Sequence, residues 1–88
     1  MPESPSSTGK TVTIRYFAIL KEEAGRAAET RQTEAPDLRD LYLELHENYH
    51  FSLPPDVLRV AVNDRFVELS HPLEEGAQIV FVPPVAGG

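Results

Sequence analysis

The chain has 88 residues, of which 41% are hydrophobic and 25% charged, a composition that predicts a single soluble globular domain. The absence of cysteine excludes disulfides, thiolate metal sites, persulfides and cysteine nucleophiles within the chain. Fourteen acidic residues against eight basic ones give a formal net charge of -6, which argues against nucleic acid as a ligand and favours a protein partner with a basic surface.

The residue pattern in the first part of the chain predicts a disordered arm, a strand, a short helix and a second strand. Residues 1–10 contain almost nothing that can be buried, so we expect a disordered N-terminal arm. Apolar and polar residues alternate over Thr11–Phe17, which is the pattern of a half-buried strand. Ala18–Ala24 favours a short helix that stops at Gly25, and the polar stretch Ala28–Thr33 predicts an edge strand.

One longer helix and three further strands are predicted in the second part of the chain. The helix begins at Pro36, a favourable first-turn residue, and Asp37 and Asp40 complement the positive end of its dipole. An apolar stripe should pack this helix across a sheet, and its members are Leu38, Leu41, Tyr42 and Leu45. The three strands, the first two joined by the turn dipeptide Asn63-Asp64, are Leu58–Val62, Arg65–Glu68 and Gln78–Val82.

The order of these elements predicts an α+β domain over residues 11–84. A mixed sheet of about five strands with one main helix packed on one face fits the β-grasp, or ubiquitin-like, arrangement. The double proline Pro83-Pro84 halts the last strand, so residues 85–88 are expected to form a flexible C-terminal tail.

The tail Val85-Ala86-Gly87-Gly88 is the first candidate functional group. Two terminal glycines lack a Cβ, so this end of the chain can thread a narrow cleft and place its carboxylate in the active site of a partner. A carboxylate has a poor leaving group and must be activated before a nucleophile can attack it, for example as an acyl-adenylate made with ATP. A separate activating enzyme is therefore expected.

Four segments of the chain form a distinctive set: Phe17-Ala18-Ile19-Leu20-Lys21-Glu22-Glu23-Ala24-Gly25, Ala61-Val62-Asn63, His71-Pro72-Leu73-Glu74-Glu75-Gly76 and Phe81-Val82-Pro83-Pro84-Val85-Ala86-Gly87-Gly88. On these segments the sequence resembles the MoaD-type sulfur carriers, the small subunits of molybdopterin synthase, and the resemblance extends from Thr11 to Gly88. The chain departs from the family pattern at its long N-terminal arm and at Val82, where an aromatic residue is often found.

The resemblance implies a cycle in which the Gly88 carboxylate is adenylated and then converted to a thiocarboxylate. The tail, including Val85, Ala86 and Gly87, then enters the large synthase subunit and donates sulfur to a pterin precursor. The implied partners are that large subunit, in a heterotetramer of two small and two large subunits, and an adenylating enzyme that uses the ATP. The chain itself is expected to bind no cofactor and no metal. Because its apolar runs fall short of the roughly 18 to 20 residues that span a bilayer, we expect a cytoplasmic protein without membrane contact.

Strand alternation also predicts a surface for these partners. The helix side of the sheet should hold Val12, Ile14, Tyr16, Leu58, Val60, Val62, Ile79 and Phe81. Phe17, Val80 and Val82 then point from the opposite face, where Phe66 could join them. An exposed apolar patch beside a reactive tail is typical of a protein-binding site. The alternative is that Phe17 and Phe66 are tucked under loops.

The segment His46-Glu47-Asn48-Tyr49-His50 matches the H-E-x-x-H pattern of zinc proteases. Such a hydrolase also needs a third protein ligand and a substrate cleft, yet the remaining histidine, His71, lies beside a proline near a turn. We therefore interpret the segment as a polar helix end, with histidines near the negative end of the dipole.

Two other functions share the predicted fold and the glycine tail. The chain could carry sulfur for another pathway, such as thiazole synthesis or tRNA thiolation, or it could be a ubiquitin-like protein modifier or interaction module joined to lysines through Gly88. The Phe-Ala-x-Leu-Lys-Glu segment and the Phe-x-Pro-Pro-Val-Ala-Gly-Gly ending favour molybdopterin.

Overall fold

The computed structural model describes residues 9–84, so the predicted tail at 85–88 and most of the predicted arm lie outside the described residues. Strand β1 begins at Lys10, which had been assigned to the arm. The strands are β1 Lys10–Tyr16, β2 Ala28–Thr33, β3 Arg59–Val62, β4 Arg65–Val67 and β5 Gln78–Val82. The helices are α1 Ala18–Ala24 and α2 Leu38–Tyr49, and a 3-10 turn spans Pro55–Val57. Among the described residues, no helix is long and apolar enough to cross a membrane.

The five strands form one mixed sheet in the order β2-β1-β5-β3-β4. The first and last strands are parallel neighbours at its centre, with Thr13 opposite Gln78 and Tyr16 opposite Phe81. The other three pairings are antiparallel. This arrangement confirms the predicted α+β class, with a mixed sheet and one main helix.

Helix α2 covers one face of the sheet and closes a single core. Every apolar residue predicted to face the helix is buried: Val12, Ile14, Tyr16, Leu58, Val60, Val62, Ile79 and Phe81. The stripe on α2 is fully buried as well: Leu38, Leu41, Tyr42 and Leu45. Alternation in the strands and the helical spacing of the stripe therefore meet in one layer of side chains.

The predicted start of α2 at Pro36 is wrong by two residues. Asp37 has extended backbone angles, with φ -145° and ψ 180°, and its carboxylate accepts a 2.9 Å hydrogen bond from the Asp40 backbone N–H. Asp37 is thus the N-cap, and the helix begins at Leu38. At the other end, His50 adopts the left-handed conformation with φ 60° and ends the helix after Tyr49.

The predicted hairpin turn joins β3 to β4 through two residues with positive φ, Asn63 at 52° and Asp64 at 73°. Two consecutive left-handed residues form the turn geometry that matches the twist of a two-residue hairpin. The Asn63 side-chain oxygen also accepts a 3.0 Å hydrogen bond from the Gln78 N–H, which ties the turn to the start of β5.

Candidate functional site

The C-terminal tail leaves the domain from the end of its central strand. Strand β5 ends at Val82, between β1 and β3. Pro83 is buried and Pro84 is exposed, and neither has an N–H with which to extend the ladder. The residues predicted to do the chemistry, Val85, Ala86, Gly87 and Gly88, lie outside the described residues, so their assignment stays a prediction.

The sheet face opposite α2, here called the open face, surrounds the place where β5 ends. One cross-strand row runs over β1, β5, β3 and β4 and consists of Arg15, Val80, Ala61 and Phe66. In the neighbouring row, Val82 lies opposite Arg59. Tyr16 pairs with Phe81 in the parallel ladder, so the next residues on the two strands, Phe17 and Val82, lie beside each other in this row. The structure therefore brings together the four residues predicted to form the partner surface.

The two phenylalanines of the open face are exposed to solvent. Phe66 exposes 64% of its surface and Phe17 exposes 46%, whereas Val80 and Val82 are half-buried. Neither ring is therefore covered by a loop. The role of these residues in binding a partner stays a prediction.

Two arginines on the open face were not part of the predicted surface. The Arg59 guanidinium carbon lies 4.9 Å from the centre of the Phe66 ring, a distance that permits cation–π attraction. Arg15 lies opposite Val80 on the other side of β5. Arg15 alternates with Ile14 and Tyr16, and Arg59 alternates with the buried residues on either side of it. Strand alternation in the sequence therefore predicts both arginines on this face.

An open groove of about 680 Å³ adjoins the open face at Phe66 and Arg59. Its walls include Leu58 and Leu69 together with Arg39. The Arg39 side chain is held by a 2.9 Å ion pair with Asp56. Both partners of this pair are largely exposed, so it contributes little to stability.

A polar cluster closes the opposite edge of the domain, between β2 and α2. Tyr16 and Tyr49 both donate their hydroxyl groups to Glu29 Oε2, the latter over 2.7 Å. Arg26 approaches the other carboxylate oxygen of Glu29 at 3.4 Å. Farther along the strand, Thr33 donates a 2.5 Å hydrogen bond to Glu44 of α2. These contacts fix the edge strand to the helix on the covered side of the sheet.

Burial raises the pKa of all three tyrosines of the chain. Desolvation is the main cause for Tyr16 and Tyr49, and the hydrogen bond to Glu29 raises both pKa values further. The pKa of Tyr42 is raised to about 12, mainly by desolvation and secondarily by the charge of Glu23. Ionised phenols are therefore strongly disfavoured in the folded state.

The H-E-x-x-H segment does not form the helical face that a zinc protease uses. His46 lies in the last turn of α2, with its ring 6.0 Å from that of Tyr42. His50 has left the helix with φ 60°, so the second histidine does not follow at helical geometry. Within residues 9–84, no three metal-ligating side chains form a cluster that could hold an ion.

Comparisons with known proteins point to sulfur carriers. The model of the ThiS family matches residues 14–88. The molybdopterin synthase sulfur carrier subunit of Escherichia coli (strain K12) is 29% identical over 80 residues, covering 88% of this chain and 99% of that protein.

Similar solved structures include a chain from the protein–protein complex of subunits 1 and 2 of molybdopterin-converting factor from Helicobacter pylori. It is 33% identical with a TM-score of 0.59, and the match covers 89% of this chain and 99% of that one. Small archaeal modifier protein 1 from Methanosarcina acetivorans has a TM-score of 0.74 at 20% identity, covering 91% and 98% of the two chains, a similarity of fold alone. The shared fold confirms the predicted β-grasp class.

Proposed function

Since the chain belongs to the ThiS family and is a sulfur carrier of the ThiS and MoaD kind, we propose that it serves molybdopterin synthesis through a thiocarboxylate on Gly88. The pathway is supported by the Escherichia coli and Helicobacter pylori relatives, whose names both refer to molybdopterin. The observation that carries the proposal is the place where β5 ends. This central strand ends at Val82, just before two prolines and beside an open face with exposed phenylalanines.

The proposed chemistry takes place at the C-terminal carbonyl carbon. Within the activating enzyme, a carboxylate oxygen of Gly88 attacks the α-phosphorus of ATP, and pyrophosphate leaves. Hydrosulfide, supplied by the sulfur source, then attacks the carbonyl carbon of the acyl-adenylate. The bond from this carbon to AMP breaks, AMP leaves and a proton is released, so that one oxygen of Gly88 is replaced by sulfur. In the large synthase subunit, the thiocarboxylate sulfur attacks a carbon of the pterin precursor and displaces an oxygen substituent. Water then hydrolyses the bond between this sulfur and the Gly88 carbonyl carbon, which leaves the sulfur on the pterin and restores the carboxylate. No side chain of the carrier takes part in bond making, in agreement with the absence of cysteine.

The proposed partners are the large synthase subunit, in an assembly of two small and two large subunits, and the adenylating enzyme. The Helicobacter pylori complex of subunits 1 and 2 supports the first of these. Gly88 is the sixth residue after Val82, so its carbonyl lies at most about 20 Å from the end of β5. Each enzyme that acts on Gly88 must therefore dock close to the end of β5. We place the cycle in the cytoplasm, with ATP bound by the activating enzyme and no cofactor bound by the carrier.

The test is to incubate the chain with its activating enzyme, ATP and a sulfur source, and to measure its intact mass. We expect a gain equal to the exchange of one oxygen for sulfur, followed by conversion of the pterin precursor when the large subunit is added. Deletion of Gly87 and Gly88, or one residue added after Gly88, should abolish both signals. Deletion of two residues from the N-terminal end is the matched control and should change neither. An unchanged mass for the intact chain in a system that charges a known carrier would contradict the proposal.

The same reaction separates sulfur transfer to a pterin from the alternatives. A thiocarboxylate that does not convert the pterin precursor would indicate a carrier for another pathway, such as thiazole synthesis or tRNA thiolation. A protein modifier would form isopeptide bonds between Gly88 and lysines of many proteins. The chain has two lysines of its own, Lys10 and Lys21, so conjugates linking one copy to another would map to these two side chains or to the terminal amine.

A further inference from the structure

The open face differs in charge from the rest of the chain. The chain carries a formal charge of -6, yet the charged residues at the open-face strand positions are both arginines. The remaining strand positions on this face are neutral: Thr11, Thr13, Ala28, Thr30, Gln32, Ala61, Phe66, Gln78, Val80 and Val82. Acidic residues lie in the helices, in the loops and on the covered side of the sheet, and two of them, Asp56 and Glu68, line the groove beside Arg59 and Phe66.

The two arginines flank the valines of the central strand. Arg15 lies on β1 and Arg59 on β3, so β5 with Val80 and Val82 passes between them. Two strand spacings and a two-residue offset along β5 separate their backbones, which together amount to about 12 Å. Both side chains are exposed, and within residues 9–84 neither has an ion-pair partner. Stacking on Phe66 keeps the Arg59 guanidinium on the face.

We propose that the open face docks on a protein surface with an apolar centre flanked by carboxylates, one for Arg15 and one for Arg59. This inference rests on the proposed function, because the partner is the enzyme that receives the tail. The net charge of the chain favours a basic partner, but charges more than about 10 Å apart are largely screened at physiological salt. At the strand positions that flank Val80 and Val82 the charges are those of the two arginines, so the sign of the contact there is positive although the sum over the chain is negative.

Position and charge support this assignment together. Gly88 lies within about 20 Å of Val82, so the enzyme that acts on Gly88 must cover this end of the sheet. Covering it brings both guanidinium groups into the interface, where a cation without a counterion loses hydration. Carboxylates on the partner offset that loss by pairing with the two guanidinium groups at short range.

The test reverses the charges one at a time and together, in Arg15→Glu, Arg59→Glu and the double variant. Binding of the full chain to the purified large subunit and to the activating enzyme is measured at about 0.05 M and about 0.5 M salt. We expect each reversal to weaken binding roughly tenfold at low salt. Wild-type affinity should fall as salt increases, whereas affinity of the double variant should rise, because salt screens its repulsion from the carboxylates.

Arg65→Glu is the matched control. It changes the net charge by the same amount on an exposed β4 residue that alternates onto the other side of the sheet, and it should alter affinity less than about twofold. Arg59→Gln removes the charge without reversing it and should give a smaller loss than Arg59→Glu. Circular dichroism of each variant verifies that the fold is retained.

The outcomes distinguish this inference from the proposed function. If the wild-type chain binds and gains sulfur but the reversed variants bind equally well or better, the carboxylate-flanked partner surface is excluded and the sulfur carrier is retained. If the losses appear equally with Arg65→Glu, net charge and not the open face is responsible, and the inference fails. If the wild-type chain neither binds these enzymes nor gains sulfur, both are overturned.

Discussion

Replacement of Phe66 by alanine provides a quantitative test of the open face as the partner surface. A phenylalanine side chain buries roughly 200 Å² when it is fully covered. Phe66 leaves 64% of its surface exposed, so a covering partner would bury roughly 130 Å² more, worth about 3 kcal/mol at about 25 cal/mol per Å². We expect Phe66→Ala to weaken binding by up to roughly 150-fold. The part of the ring already buried in the free protein is about half as large, so the free energy of unfolding should fall by less than about 2 kcal/mol.

Two measurements on the same samples decide this prediction. Calorimetric titration with the large subunit and the activating enzyme gives affinity, and urea unfolding of the free chain gives stability. Leu43→Ala is the matched control, because Leu43 is also a large apolar residue with 42% exposure but lies on α2, on the other side of the domain. This control should leave affinity unchanged.

A companion variant, Phe17→Asp, places a charge at the second exposed ring. It should weaken binding while leaving the chain folded, since nearly half of the ring is in contact with water. If Phe66→Ala binds as tightly as the wild type, or if Leu43→Ala loses as much affinity, the open face is not the docking surface. Global unfolding of Phe17→Asp would show instead that this ring belongs to the core.

Three further predictions concern stability. Folding raises the pKa of Tyr16, Tyr42 and Tyr49. Their contribution to the free energy of unfolding is therefore fully present below about pH 10 and decreases as the pH rises above that value, by up to about 1.4 kcal/mol per pH unit for each group. Urea unfolding followed from pH 8 to pH 11 should show this decline, with a shallower slope for Tyr16→Phe; an identical slope would refute the assignment. Asp64→Gly should raise the free energy of unfolding by about 0.5 kcal/mol, because φ is 73° at this residue. His50→Gly, at φ 60°, should raise it by about 1 kcal/mol in thermal or urea unfolding, and a loss of stability in either variant would contradict the strain argument.

Local sequence patterns predicted the elements and the faces of this fold because those properties depend on near neighbours. Alternation along β1 placed Tyr16 inside and Phe17 outside, as observed. The start of α2 was misplaced because a proline at the first turn is only a statistical preference. The true boundary depends on a single hydrogen bond, from the Asp40 N–H to the Asp37 side chain. The 3-10 turn at Pro55–Val57 was not predicted, since so short an element has no periodicity to detect.

Features that join distant parts of the chain were beyond such patterns. The parallel pairing of β1 with β5 links residues more than sixty positions apart, and no local signal specifies it. The stacking of Arg59 on Phe66 depends on the register of β3 and β4 and on the rotamers of both side chains. The Glu29 cluster likewise needs β2 and α2 to be placed side by side before its hydrogen bonds can form.

The parallel alignment of the first and last strands also determines how the domain responds to tension. Force applied between the two chain ends pulls β1 and β5 in opposite directions along their length, so the hydrogen bonds between them are loaded in shear and must break together rather than one after another. Antiparallel β3 holds β5 on its other side. A partner that binds the C-terminal end can therefore pull on it without detaching β5 from the sheet.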